Sequence, residues 1–377
     1  MKILICSLTY SLHNGVTTSI NTSADELIKK GVEVRIISPD YGVGKFRTEH
    51  FPIPSSALIG IIGALIGKEE RTFGIGVYAK IKKIAQEFNP DVYWLHTLTW
   101  GTNAFERYML KSDKAKVITY HTMVEEYGKL YAGKFGAFIM CRRSKSVCNK
   151  MDAIITPSQV MKTKLKAYGV TKPINVIPTG IEMPEEPIKR EELCKLYGIP
   201  SDNKILLYVG RISREKNLDV LLNMMKDIKN VKYNATLLLV GPGDIDEAKE
   251  SARRLKLEDR VIFTGPLSKE DTKKVYGACD AFVFSSQTET QGLVIGEAMI
   301  AGIPVIALDS PIQKEVYPEE ASVVIHQESE FAKEVMDILD NKKRREDIIK
   351  NANDFVFSNF TKELMIARLM KVFKDLI

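Results

Sequence analysis

Cysteine is scarce: five residues, Cys6, Cys141, Cys148, Cys194 and Cys279, lie scattered along 377 positions without a C-x-x-C pair. An odd, unspaced set excludes a disulfide framework and a zinc site of ordinary spacing, and leaves free buried thiols as the expectation. There is no H-E-x-x-H, no paired-metal carboxylate pattern and no Ser-His-Asp order, so no metal is expected and triad hydrolysis has no support. No G-x-G-x-x-G is present, and Gly241-Pro242-Gly243 reads as a tight turn. Residues 57–67, ALIGIIGALIG, form an uncharged run of 11, against the roughly 20 needed to span a bilayer. The run reads as a buried helix or as an apolar element that dips into a membrane interface, with Lys68 and Arg71 placed to meet headgroups. The amino terminus, MKILICSLTY, runs directly into a strand-like stretch with no basic region and cleavage site, which reads as cytoplasmic.

What is present is a globular composition, 45% hydrophobic and 27% charged, in a chain long enough for two domains. The net charge of +6 is unevenly spread: residues 1–184 hold 25 Lys+Arg against 15 Asp+Glu, and residues 185–377 hold 29 against 33. A basic first half suggests a lobe that faces something anionic, a phosphorylated partner or a membrane surface, although a lysine-rich solvated surface gives the same count. No nucleic-acid partner is indicated.

Short apolar runs alternate with amphipathic stretches, the pattern of parallel sheets flanked by helices. Strands are expected at residues 2–8, 32–37, 92–95, 117–120, 153–155 and 174–177, and, after the polar stretch 182–192, at 205–209, 236–240, 261–263, 281–284, 304–307 and 322–325. A helix over 18–30 ends at Gly31. The series implies an α/β chain of two Rossmann-like, doubly wound domains facing each other across a cleft, an amino-terminal acceptor-side domain at 1–182 and a donor-binding domain at 183–360. The last helix, 361–377, fits either lobe.

Two constellations sit where a strand ends and a helix begins, the edge at which such folds bind ligands. In SSQTETQGLVIGEAM, residues 285–299, Glu289 belongs in the loop and Glu297 in the second or third helical turn, because eight positions rotate a helix by roughly 80° beyond whole turns. A loop carboxylate suits sugar hydroxyls, the amides of Gln291, Gly292, Leu293 and Val294 suit a phosphate at a helix start, and Glu297 suits a ribose diol. In YVGRISREKN, residues 208–217, Arg211 and Lys216 follow Gly210 and are spaced to clamp a diphosphate, the guanidinium as a fork and the ammonium as a point charge. The plain readings are a capped helix with surface glutamates and an ion pair with Glu215. In the first half, Gly15 lets backbone approach a ligand or makes a simple turn. His96 and His121 each fall just after a strand, where most histidines are structural.

Taken in order, Gly15, His121, IPTGIE at residues 177–182, GRxSxEKN at residues 210–217 and the pair Glu289 and Glu297 resemble the retaining glycosyltransferases of family 4, which have the GT-B fold. The ETQGL form at residues 289–293, where many members have EGFGL, together with YHTM at residues 120–123, is similar to the diacylglycerol glucosyltransferases. The resemblance implies hexose transfer from a nucleotide-diphosphate sugar, UDP most of all, with retention and without a metal or other cofactor, to a lipid hydroxyl at an anionic membrane surface. It implies Arg211 and Lys216 on the diphosphate, Glu297 on the ribose, Glu289 with the amides of 291–294 on the transferred sugar, and His121 near the reacting sugar. His13, Asn14, His96 and Tyr127 fall on the acceptor side. Transfer to a soluble sugar, polyol or polysaccharide, a nucleotide-sugar epimerase and a non-catalytic sugar-nucleotide binder are the rival readings.

Overall fold

The protein is described from a computed structural model, covering residues 1–10, 14–42, 47–57, 71–73, 76–98, 100–182 and 186–377. The chain divides into two units, residues 1–180 with 362–377, and residues 181–361.

In unit 1 the strands are β1 (Lys2–Cys6), β2 (Glu33–Pro39), β3 (His50–Ile53), β4 (Ser55–Ala57), β5 (Arg71–Phe73), β6 (Val92–Leu95), β7 (Ala115–Thr119), β8 (Ala153–Thr156) and β9 (Ile174–Val176). The helices are α1 (Gly15–Lys29), α2 (Val77–Phe88), α3 (Asn103–Met109), α4 (Val124–Cys148) and α5 (Gln159–Ala167). Seven of the strands form a parallel sheet in the order β3-β2-β1-β6-β7-β8-β9, and β4 pairs antiparallel with β5. Three strands, β3, β4 and β5, are not announced by the pattern, and the first two bear on what can be read from sequence. His50–Ile53 contains Pro52 and sits at the sheet edge, where a missing N–H is tolerated. Ala57 closes β4, whereas residues 58–67 of the apolar run lie outside the described residues.

Helix α1 begins three residues earlier than its pattern suggests because Asn14 caps it, accepting from the Thr17 N–H at 2.9 Å. It stops at Gly31, whose φ of +76° is the left-handed conformation glycine takes most readily. Its inner face, Ile20, Ala24 and Leu27, packs with Ile3, Ile5, Ile36, Trp94 and Val117. The last helix of the chain, α14 (Lys362–Lys374), adds Met365, Ile366, Leu369 and Phe373 to this same core. Four such side chains contribute roughly 1.5–3 kcal/mol each on burial, which fixes the terminal helix to unit 1.

Unit 2 contains β10 (Lys204–Val209), β11 (Ala235–Val240), β12 (Val261–Gly265), β13 (Ala281–Phe284), β14 (Val305–Leu308) and β15 (Val323–Ile325), parallel in the order β12-β11-β10-β13-β14-β15. Between and after them run α6 (Arg190–Tyr197), α7 (Leu218–Asn230), α8 (Ile245–Arg254), α9 (Lys269–Tyr276), α10 (Leu293–Ile300), α11 (Gln313–Val316), α12 (Phe331–Asp340) and α13 (Lys342–Asn359). Both sheets are doubly wound, as the alternation implies. In each, the strand order reverses at one point, between β1 and β6 and between β10 and β13, and the loops that leave these strands flank a crevice.

All five thiols are free, and Cys141 is only half-buried where full burial is the expectation; the other four are buried.

Candidate active site

The switch point of unit 2 is built from the two loops that the sequence singles out. After β10, Gly210 makes a turn that a side chain would obstruct: a Cβ there would lie 2.7 Å from the Tyr208 hydroxyl, which donates to the Arg211 carbonyl at 3.0 Å. The neighbouring Gly241-Pro242-Gly243 presses on this turn. A Cβ on Gly241 would come within 2.0 Å of the Gly210 carbonyl oxygen, and one on Gly243 within 2.1 Å of that of Ile212. The turn is thus more than a connection, because it shapes the loop that carries Arg211.

Residues 214–216 form a single 3₁₀ turn, closed by Asn217 at φ +55°. Three contacts tie it to the loop after β13. Ser285 Oγ donates to the Lys216 carbonyl at 2.8 Å, Thr288 Oγ1 reaches the Glu215 carbonyl at 3.4 Å, and the Lys216 ammonium donates to Glu289 Oε1 at 2.6 Å. Both members of that ion pair are mostly buried, at 16% and 19% side-chain exposure, so the contact is stronger than a surface pair. Arg211 behaves differently: its side chain is half exposed and its approach to Glu215 is 4.0 Å.

Glu289 lies in the loop and Glu297 in the second turn of α10, as their spacing requires. Gly292 caps α10 at φ +67° without a side-chain bond to the first turn, so the initial amides, including those of Leu293 and Val294, form the usual ligand-facing end of a helix. Gln291 is buried beside them. Two hydroxyls on these loops, Ser213 Oγ and Ser286 Oγ, are buried with no protein partner, the condition of groups that a ligand or water completes.

Behind Glu297 stands a layer that sequence reasoning missed. The Tyr276 hydroxyl donates to Glu297 Oε2 at 2.9 Å. Burial pushes the Glu297 carboxyl up, while Tyr276, Lys269 and Lys273 work against that rise. Lys269 and Lys273 themselves bind Glu182, the last residue of IPTGIE. Burial works to raise the Glu182 carboxyl, but the hydrogen bonds and charges of the two lysines outweigh it and hold the group down to about 2. The K-x-x-x-K-x-x-Y spacing of α9, which puts all three on one helix face, was the available signal.

At the corresponding switch point of unit 1 the contacts among the described residues are made by hydroxyls and imidazoles. Ser7 and Thr97 join the loops after β1 and β6 through their hydroxyls at 3.0 Å, and Thr97 Oγ1 also accepts from the Leu8 N–H. His96 follows β6 and His121 follows β7, and their rings stack with His96 Nδ1 3.0 Å from His121 Nε2. Burial lowers both from the usual histidine range: His96 well below it, with His121 a second cause, and His121 to about 4. The pair is therefore neutral at pH 7. His96 Nε2 is buried without a protein partner. Gly15 is the first residue of α1, and Asn14 is engaged as its cap. His13 lies outside the described residues, and of Tyr127 the structure describes the backbone, within α4.

The model described as Glycosyl transferases group 1 matches residues 189–355, and that described as Glycosyltransferase Family 4 matches residues 13–183. The alpha-monoglucosyldiacylglycerol synthase of Streptococcus pneumoniae is 32% identical over 315 residues, 79% of this chain and 68% of that protein. The enzyme of the same name from Acholeplasma laidlawii is 24% identical and covers 100% of this chain and 98% of its own. Among solved structures, Anabaena HepE, crystallised with UDP and glucose, superposes with a TM-score of 0.82 at 18% identity over 100% of both chains. Two doubly wound sheets with these relatives define a glycosyltransferase of GT-B type. The chain belongs to glycosyltransferase family 4.

Proposed function

We propose that the protein transfers a hexose from a nucleoside-diphosphate sugar, with uridine the favoured base, to a hydroxyl of a membrane lipid such as diacylglycerol, retaining the anomeric configuration and using no metal ion. The observation that carries the reading is the mostly buried Lys216–Glu289 pair joining the two switch-point loops of unit 2. The two glucosyldiacylglycerol synthases among the relatives support the lipid acceptor, and the HepE complex supports uridine.

In this reading the diphosphate lies against Arg211 and Lys216, with Gln291 and the amides of Leu293 and Val294 at its far side. Glu297 accepts from the ribose diol, and Glu289 accepts from hydroxyls of the sugar while holding Lys216 in place. The bond from the anomeric carbon to the diphosphate oxygen breaks, and the acceptor oxygen bonds to that carbon on the same face. The acceptor proton passes to the departing phosphate oxygen. The two cations act on the charge that gathers on the diphosphate, where a fixed donor is worth most.

A matrix of UDP-, GDP- and ADP-hexoses against diacylglycerol and soluble sugars, read by mass spectrometry with proton NMR of the product's anomeric centre, tests each part. Transfer confined to soluble acceptors would overturn the lipid assignment, an inverted product the retention, and loss of turnover with a chelator the metal independence.

A further inference from the structure

Helix α4 carries a feature that neither core packing nor the donor site uses. It is broken at Ala132 and Gly133, the latter at φ +62°, and its two segments meet backbone to backbone. A Cβ on Gly128 would lie 2.7 Å from Ala137 Cα, and one on Gly136 would lie 2.6 Å from the Gly128 carbonyl oxygen. The second segment buries Gly136, Ala137, Ser144, Val147 and Cys148 and leaves the opposite face bare.

That face is both aromatic and basic. Phe135 is 72% and Phe138 56% exposed, three positions apart. Arg142 and Lys145 continue the same row at the helical spacing of four and three, Lys134 stands beside Phe135, and all three are exposed. The Arg142 guanidinium lies over the Phe138 ring, 5.6 Å from its centroid. Residues 127–151 contain six Lys+Arg and no Asp or Glu. Two exposed phenylalanines on one helix face lose free energy in water, and among the described residues of unit 1 none covers them. A second copy of the chain is a poor cover, since a self-complementary contact would bring these cations against their own copies. An anionic lipid surface satisfies both halves of the pattern, with the rings entering the acyl boundary and the cations meeting headgroup phosphates.

We propose that the Lys134–Phe135–Phe138–Arg142–Lys145 face of α4 is the surface by which unit 1 docks on an anionic membrane. The inference rests on the lipid-acceptor reading and assigns it a place, distinct from residues 57–67.

The test is co-sedimentation of the full chain with sucrose-loaded vesicles, either phosphatidylcholine alone or with about a third phosphatidylglycerol. The wild type is expected to pellet with the anionic vesicles and much less with the neutral ones. Phe135→Ser/Phe138→Ser and Lys134→Glu/Arg142→Glu should each weaken anionic binding by roughly tenfold or more, since a single cation at such a surface is worth about fivefold. Both variants change exposed side chains, so their thermal unfolding and their hexosyl transfer to detergent-dispersed diacylglycerol should stay near wild type. Equal pelleting of wild type and both variants would overturn this surface and leave the lipid acceptor standing. Failure of the wild type to pellet while it transfers hexose to dispersed diacylglycerol would do the same; failure in both assays would remove the acceptor reading as well. A wild-type dimer that Phe135→Ser/Phe138→Ser converts to a monomer would assign the face to self-association instead.

Discussion

The two units solve one geometric problem with opposite chemistry. Each presents a switch-point crevice in a parallel sheet, tied across by a hydroxyl contact, Ser7 to Thr97 in unit 1 and Ser285 to the Lys216 carbonyl in unit 2. Each leaves buried polar atoms without protein partners, His96 Nε2 in the one, Ser213 Oγ and Ser286 Oγ in the other. Unit 1 lines its crevice with a neutral histidine pair, whereas unit 2 uses a mostly buried Lys–Glu pair and a half-exposed arginine. Net charge runs the other way: unit 1 holds 29 Lys+Arg against 16 Asp+Glu and unit 2 holds 25 against 32. The unit proposed to hold a diphosphate is therefore the acidic one. Local placement of two cations, and not the overall charge, makes that site; overall charge speaks to the surface.

The sharpest way to break the comparison is to remove the charge from the unit 2 crevice. Lys216→Ala and Glu289→Ala should each lower turnover by roughly 100-fold or more, the scale of one transition-state contact. Because the two side chains bond each other, the double variant should lose much less than the product of the singles. Steady-state kinetics checks both points, and near wild-type turnover in the two single variants would remove the site from unit 2.

Next in size is the backbone contact under that site. Gly241→Ala places a methyl group 2.0 Å from the Gly210 carbonyl at a φ of +147°, so the Arg211 turn must shift. A loss of about 2–3 kcal/mol of stability is expected, with weaker donor binding, measured by denaturant unfolding and donor titration. Unchanged values would mean that the two turns move independently.

A third difference is in acid response. A histidine whose folded value is depressed binds its proton more readily when unfolded, so its stabilising contribution is complete above the unfolded value and is lost as pH falls. For His121 the window runs from 6.5 down to about 4, and the loss by its lower end should be on the order of 2 kcal/mol. Glu182 is depressed from 4.5 to about 2, so its contribution is lost from 4.5 downward and for the most part below the histidine window. Both tryptophans, Trp94 and Trp100, lie in unit 1, and their fluorescence isolates its unfolding. Stability of the tryptophan-reported transition that stays level between pH 6.5 and 4.5 would show that the pair titrates as free histidines do.

These contrasts also mark what the sequence could disclose. Interior parallel strands are buried on both faces and so read as continuous apolar runs, which is why KILIC, AFVF and ATLLLV were legible. The edge strand HFPI has a proline and no such run. Charged motifs at strand ends were legible because their residue types are chemically distinctive, yet their mutual contacts were not. The Lys216–Glu289 bond spans 73 positions, and the pressing of Gly241 on Gly210 depends on two strands being neighbours. The histidine pair has the same character: each ring was visible as a residue after a strand, but their neutrality follows from stacking and burial.

The smallest expected effect tests the layer beneath the site. Tyr276 holds Glu297 Oε2 through its hydroxyl at 2.9 Å, and its ring is buried in the core of unit 2. Phenylalanine keeps the ring and removes only that bond, so Tyr276→Phe should keep the fold while loosening the carboxylate proposed to meet the ribose. A neutral donor to a charged acceptor is worth roughly 1.5–3 kcal/mol at most, and a partly compensated loss predicts about a fivefold rise in donor KM. Because the ribose is bound equally before and during transfer, kcat should change little. The split distinguishes positioning from chemistry: a fall in kcat at unchanged KM would place Glu297 nearer the reacting centre than the ribose assignment allows. Tyr276→Leu, which removes ring and hydroxyl together, should add a loss of stability that Tyr276→Phe lacks.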